Sequence, residues 1–136
     1  MYKVGIKLNK ILQIGMLMCI SSLYLYALDV PSYYALDIKT MEVSLKGAKA
    51  HLKCLQNSCP KEEENALYMK VQNEISSLYE KEGITASKHI GFYTKHSKEA
   101  KTYYENNTTL QEKYTTLMRE TEAIVVEIDA LKKAKK

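Results

Sequence analysis

Residues 38–59, IKTMEVSLKGAKAHLKCLQNSC, decide the fold. Apolar side chains fall at Ile38, Met41, Leu45, Ala48, Leu52, Leu55 and Cys59, in steps of three and four without a fault. That spacing is an a/d seam held over three heptads, and it specifies an amphipathic helix packed against other helices. Upstream, Ser32, just after Pro31, reads as the N-cap of a helix over 33–58. Downstream, Pro60 forbids continuation.

The same register resumes after Pro60. Tyr68, Val71, Ile75 and Leu78, flanked by Leu67 and Tyr79, form a second seam over 61–82. Glu62, Glu63 and Glu64 fill its first turn, where carboxylates favour the positive end of the helix dipole, and Gly83 is placed to cap its end. A third seam over 85–105 uses Ala86, His89 or Ile90, Tyr93, His96, Ala100 and Tyr103. A fourth over 109–133 uses Leu110, Tyr114, Leu117, Thr121, Ile124, Ile128 and Leu131. Between these two, the side chains of Asn106, Asn107, Thr108 and Thr109 compete for backbone hydrogen bonds and favour a break. Thr109 with Glu112 reads as a capping box there. No stretch alternates with the period of a strand. The expectation is all-α: an antiparallel bundle of about four helices, neighbours set antiparallel by connections of two to four residues. Without the break at 106–109, the alternative is three helices with one long C-terminal helix.

The first residues read differently. Lys3, Lys7 and Lys10 precede the uncharged run ILQIGMLMCISSLYLYAL of residues 11–28, and the first carboxylate is Asp29. A basic start, an apolar run and the small Ala27 are the parts of a secretory signal peptide, with the lysines staying on the cytoplasmic side. Residues 1–27 are assigned to it, leaving residues 28–136 as one domain with a short basic C-terminal tail. Eighteen uncharged residues also suffice to span a bilayer, so an uncleaved anchor is the competing reading. A lipoprotein site at Cys19 is disfavoured by bulky Met18. Export places the protein in a bacterial periplasm, free or held by its inner-membrane anchor.

Without residues 1–27 the formal charge of +4 becomes seventeen basic against sixteen acidic residues. Four of the seventeen are Lys132, Lys133, Lys135 and Lys136, so the body from 28 to 131 carries a net −3. A single arginine, Arg119, and no basic cluster on the body argue against nucleic-acid binding.

Cys54 and Cys59 remain as a pair, which in an exported protein reads as a disulfide. In a continuous helix, residues five apart have Cα atoms about 8–9 Å apart, beyond the reach of about 7 Å, so the helix must end between them. A thiol-redox role would need C-x-x-C at a helix N-terminus; four residues intervene here, at a C-terminus. A metal or cofactor carrier is the alternative. His51 and Cys54 lie three apart on one face, Cys59 is a third candidate ligand, and His89 or His96 a fourth, but no spacing is specific. No phosphate loop, nucleophile elbow, acid–base pair or di-iron motif occurs, so neither enzyme activity nor a cofactor is expected. Eleven tyrosines against one phenylalanine fit a thin bundle whose aromatic hydroxyls reach water at its edges. The function that remains is non-catalytic binding of a protein partner, as an adaptor, accessory or chaperone-like module. An oligomer is compatible with the same reading.

Overall fold

The computed structural model describes residues 28–134; the signal-segment reading of residues 1–27 lies outside the described residues, as do Lys135 and Lys136. Among the described residues the fold is all-helical, with five helices and no strand: α1 (Val30–Gln56), α2 (Lys61–Lys81), α3 (Ala86–Lys95), α4 (Ser97–Glu105) and α5 (Thr108–Ala134). No helix among them is long and apolar enough to cross a membrane.

The seam of residues 38–55 does what its spacing predicts. Ile38, Leu45 and Leu55 are buried with Leu117, Ile124 and Ile128 of α5, and Met41, Ala48, Leu52, Leu110, Tyr114 and Leu131 pack around them. The α1–α5 pair is therefore the hydrophobic core. Helix α2 is held differently: its only buried residue is Glu64, and its seam residues Val71, Ile75 and Leu78 are half-buried. Where α1 and α2 approach most closely the contact is Gly47 against Val71; a Cβ on Gly47 would overlap Val71 Cγ2.

Polar side-chain pairs between the helices report their directions. Lys39–Glu82 (3.7 Å), Lys46–Glu74 (3.5 Å) and His51–Glu64 (2.9 Å) descend α2 as α1 ascends, so the two are antiparallel. Glu42–Lys113 (2.8 Å) and Lys49–Glu120 (2.9 Å) ascend together, so α5 runs parallel to α1. This corrects the expected arrangement of four antiparallel neighbours. The helix expected over 85–105 is divided at His96, whose φ of −116° and ψ of 24° interrupt it. Each half is too short to travel back along α1, at about 15 Å or less. The chain therefore stays at one end of the molecule, and α5 starts from there.

What holds the two short helices is the adjacent pair Tyr33 and Tyr34 in the first turn of α1. Tyr33 stacks on His89 (4.6 Å between ring centroids) and Phe92 (5.4 Å) of α3. Tyr34 stacks on Tyr103 of α4 (5.7 Å) and meets Tyr114 of α5 edge-on (5.9 Å). Its hydroxyl donates to the carbonyl of Ala100, a residue with no exposed surface (2.9 Å). The tyrosines thus form an aromatic layer around the start of α1, in which Tyr34 is buried and Tyr33, Tyr103, Tyr104 and Tyr114 are half-buried. Burial, then the carboxylate of Asp37, pushes the Tyr33 hydroxyl up to about 12. Burial and its bond to Asp37 raise that of Tyr114 as well.

Three helix ends differ from expectation. Asp29, not Ser32, caps α1, its carboxylate accepting from the Ser32 N–H (2.8 Å), and the helix starts at Val30 and ends at Gln56. Asn107, not Thr109, caps α5, accepting from the Leu110 N–H (3.0 Å). The break at 106–109 is present, and the Gln111 side-chain amide donates back to the carbonyls of Tyr104 and Glu105 at the end of α4 (2.7 and 3.0 Å). Gly83, at φ 66°, ends α2 as expected, with Ile84 N–H reaching Tyr79 O and Gly83 N–H reaching Glu80 O.

The Gly47–Val71 contact has a measurable consequence. An alanine at 47 gains about 1 kcal/mol of helix propensity but overpacks a close contact at a typical cost of about 1–3 kcal/mol. Gly47→Ala is expected to be destabilising by roughly 1 kcal/mol in urea unfolding. The double variant Gly47→Ala/Val71→Ala should lose less than the two single changes added together.

Candidate functional site

Because α2 and α5 flank α1 without covering it, one long face of α1 stays open. There the three helices form a groove of about 450 Å³. Its floor is made of small α1 residues, Ser44, Gly47 and Ala48. One wall is Leu67, Tyr68, Val71 and Ile75 of α2; the other is Val125 and Ile128 of α5. A second depression between α1 and α5, lined by Met41, Met118, Val125 and Glu122, continues it. The lining is dominantly apolar and only partly covered: Tyr68 is 46% and Val125 45% exposed.

A polar cluster closes one end of the groove, where α1 ends, α2 begins and α5 arrives. Glu64 is buried there, with its Oε1 2.9 Å from His51 Nε2 and its Oε2 accepting from Lys61 Nζ at 2.8 Å. Lys132 Nζ of α5 stands 3.9 Å from Oε1. An ionised carboxylate only accepts, so the imidazole presents Nε2–H to it, which leaves Nδ1 to accept from the Tyr68 hydroxyl at 3.2 Å. The Lys61 hydrogen bond first, and then His51, hold the Glu64 carboxyl below the usual carboxylate range. One carboxylate thereby joins three helices.

Next to it, α1 ends in a Schellman turn. Ser58 takes a left-handed conformation (φ 53°), Cys59 N–H donates to Cys54 O (3.0 Å) and Ser58 N–H to Leu55 O (3.1 Å). The two outer positions of this motif commonly make an apolar contact. Here they are Cys54 and Cys59, at disulfide-bonding distance with Cα atoms 5.1 Å apart. The helix does end between them, and the motif explains the separation of five.

The candidate metal ligands are not brought together. His51 faces Glu64 and Tyr68, and Cys54 faces Cys59. His89 is buried at the opposite end of α1, its Nε2 3.2 Å from Tyr33 O and its Nδ1 3.4 Å from the Tyr79 hydroxyl. His96 stacks on Phe92 (4.4 Å) and pairs with Glu99 (3.4 Å). Among the described residues no group of three or more His, Cys, Asp or Glu side chains converges as metal ligands would.

Three site residues escaped the sequence reading. Glu64 reads as one of three carboxylates in a helix start, Lys132 as tail, and Val125 lies off its seam. The available signals were the spacing of Lys61, Glu64 and Tyr68, three and four residues apart on one face of α2, and the unbroken run of about seven turns that carries α5 as far as Lys132. Comparison with known protein families, with characterised proteins and with solved structures returned no match.

Two outcomes are expected. A carboxyl with a lowered folded value stabilises the fold above its unfolded value, and that stabilisation disappears as pH falls through the folded value. Glu64→Gln should therefore be less stable than the parent at neutral pH, and the gap should narrow as pH drops below about 4.5, the ordinary value, in unfolding curves followed by circular dichroism. Reduction of the Cys54–Cys59 pair should lower the thermal midpoint, since so small a closed loop is worth roughly 2 kcal/mol. Equal midpoints with and without reductant, and two titratable thiols in untreated protein, would contradict this.

Proposed function

We propose that the protein is exported by residues 1–27 and works in a periplasm as a non-catalytic binding module, an adaptor or chaperone-like accessory. Its groove takes an amphipathic helix of a partner protein. The observation that carries this reading is the half-covered apolar seam of α2. Tyr68, Val71 and Ile75 recur at helical spacing yet face a trough, where a closed bundle would place another helix. The small floor residues Ser44 and Ala48 let a backbone come close. From Thr40 to His51 the trough runs about 16 Å, or three helical turns. Its ends are charged in opposite senses, Glu122 at one and Lys132 at the other. A helix dipole favours acid at its N-terminus and base at its C-terminus, so the bound helix runs parallel to α1 and α5. A disulfide between Cys54 and Cys59 suits an oxidising compartment, and the basic then apolar start of the chain suits export.

A photo-crosslinking amino acid at Val125, inside the groove, tests this in the exporting host against one at Val126, its exposed neighbour outside the groove. The Val125 probe is expected to label one protein within a segment of i, i+3, i+4 apolar spacing, and the Val126 probe to leave it unlabelled. Met118→Lys should remove the labelling while helicity is unchanged. Labelling that is equal from the two positions, or that maps to extended segments of many proteins, would refute the helix-in-groove reading.

A further inference from the structure

The end of the molecule opposite the Glu64 cluster has chemistry of its own. Residues 84–98, ITASKHIGFYTKHSK, contain three lysines and two histidines and no carboxylate, although the body from 28 to 131 is net acidic. They form α3 and the start of α4, folded across the start of α1 by Tyr33 and Tyr34. The inward side of α3 is fixed by His89 and Phe92, which stack on Tyr33. Its outward side therefore carries Ile90, Thr94 and Lys95, with Lys98 following on α4, all exposed. Ile90 is 69% exposed, more than any other large apolar side chain among the described residues, and Tyr93 beside it is 43% exposed.

Leu28, the last residue of the apolar run 11–28 and the first of the described residues, lies at this same end. Leu28 lines a shallow depression of about 480 Å³ with Ile84, Gly91, Phe92, Lys95 and His96. The cationic, apolar-tipped face thus lies where a membrane-inserted N-terminal segment would join the folded body. The lysines at the C-terminus of α5 lie at the far end, because α5 runs parallel to α1.

We infer that the outward face of α3 and the start of α4 is a membrane-docking surface. Ile90 and Tyr93 enter the headgroup region, and Lys95 and Lys98 meet anionic phospholipid in the bilayer that holds the N-terminal segment. An exposed apolar and aromatic tip flanked by lysines is the composition of interfacial contacts. Each lysine near an anionic surface shifts such an equilibrium about fivefold at moderate salt. The folded body then lies with α1 rising from the membrane and the groove of α1, α2 and α5 above it. The inference rests on the anchored form of the export reading, in which residues 11–28 are not cleaved off and stay in the membrane.

The full chain is reconstituted into vesicles of phosphatidylcholine with phosphatidylglycerol, and in parallel into phosphatidylcholine alone. A fluorescent amino acid replaces Ile90 or, as the distant control, Val126, and nitroxide-labelled lipid serves as quencher. Quenching at position 90 well above that at 126 is expected in the anionic vesicles. It should fall in phosphatidylcholine alone, at high salt, and in Lys95→Glu/Lys98→Glu. Quenching at 90 no greater than at 126, or unchanged by Lys95→Glu/Lys98→Glu, overturns the docking surface, the second result because attachment by the N-terminal segment alone would produce it. A chain that fails to float with either vesicle overturns the inserted segment and the docking surface together. Crosslinking from Val125 should be unaffected by Lys95→Glu/Lys98→Glu, which separates failure of this surface from failure of the groove.

Discussion

Helix α1 must be covered on more than one side, and the rest of the molecule follows from how that is done. Ile38, Leu45 and Leu55 face α5, Tyr33 and Tyr34 face the short helices, and Gly47 with His51 faces α2. A helix apolar around so much of its girth is stable only inside an assembly. The two other long helices, α2 and α5, contact α1 far more than they contact each other. The result is a layer of long helices, α2 and α5 on either side of α1, and a layer leaves a face open where a closed bundle would not.

The two ends of α1 are fastened by different physics. At its start the fastening is aromatic: adjacent tyrosines, about a quarter-turn apart on the helix, each take hold of a different short helix, and the Tyr34 hydroxyl and His89 use main-chain carbonyls as partners. At its end the fastening is ionic: Glu64 gathers His51, Lys61 and Lys132 from three helices, and the Schellman turn sets two cysteines face to face beside it. Among the described residues no buried side-chain nitrogen or oxygen lacks a hydrogen-bond partner, so both fastenings are complete. What stays unmet is apolar, in the groove and on the outward side of α3. That asymmetry directs attention to binding surfaces.

Much of this was legible residue by residue. The seams of α1 and α5, the break at Asn106 and Asn107, the glycine stop at Gly83 and the need for α1 to end between Cys54 and Cys59 are local consequences of periodicity, side-chain chemistry and reach. The division at His96 was not legible, because Tyr93, His96 and Ala100 keep helical spacing across it. At the division His96 stacks on Phe92, and Phe92 stacks in turn on Tyr33 of α1, a long-range contact that helical spacing does not announce. The groove was hidden for a related reason: the α2 seam announces that an apolar face exists without saying how much of it a neighbour covers.

Helix content, helix order and the positions of most boundaries were determined by the sequence alone, since each depends on residues within a few turns of one another. The parallel course of α5, the convergence of His51, Glu64 and Lys132, and the exposure of Ile90 and Val125 were decided only by the tertiary structure. Two short helices, about 15 Å or less apiece, could not return the chain along α1, so the last helix had to start at the end where the first one starts. That single geometric fact sets α5 parallel to α1, brings Lys132 to Glu64, and leaves one face of the central helix uncovered.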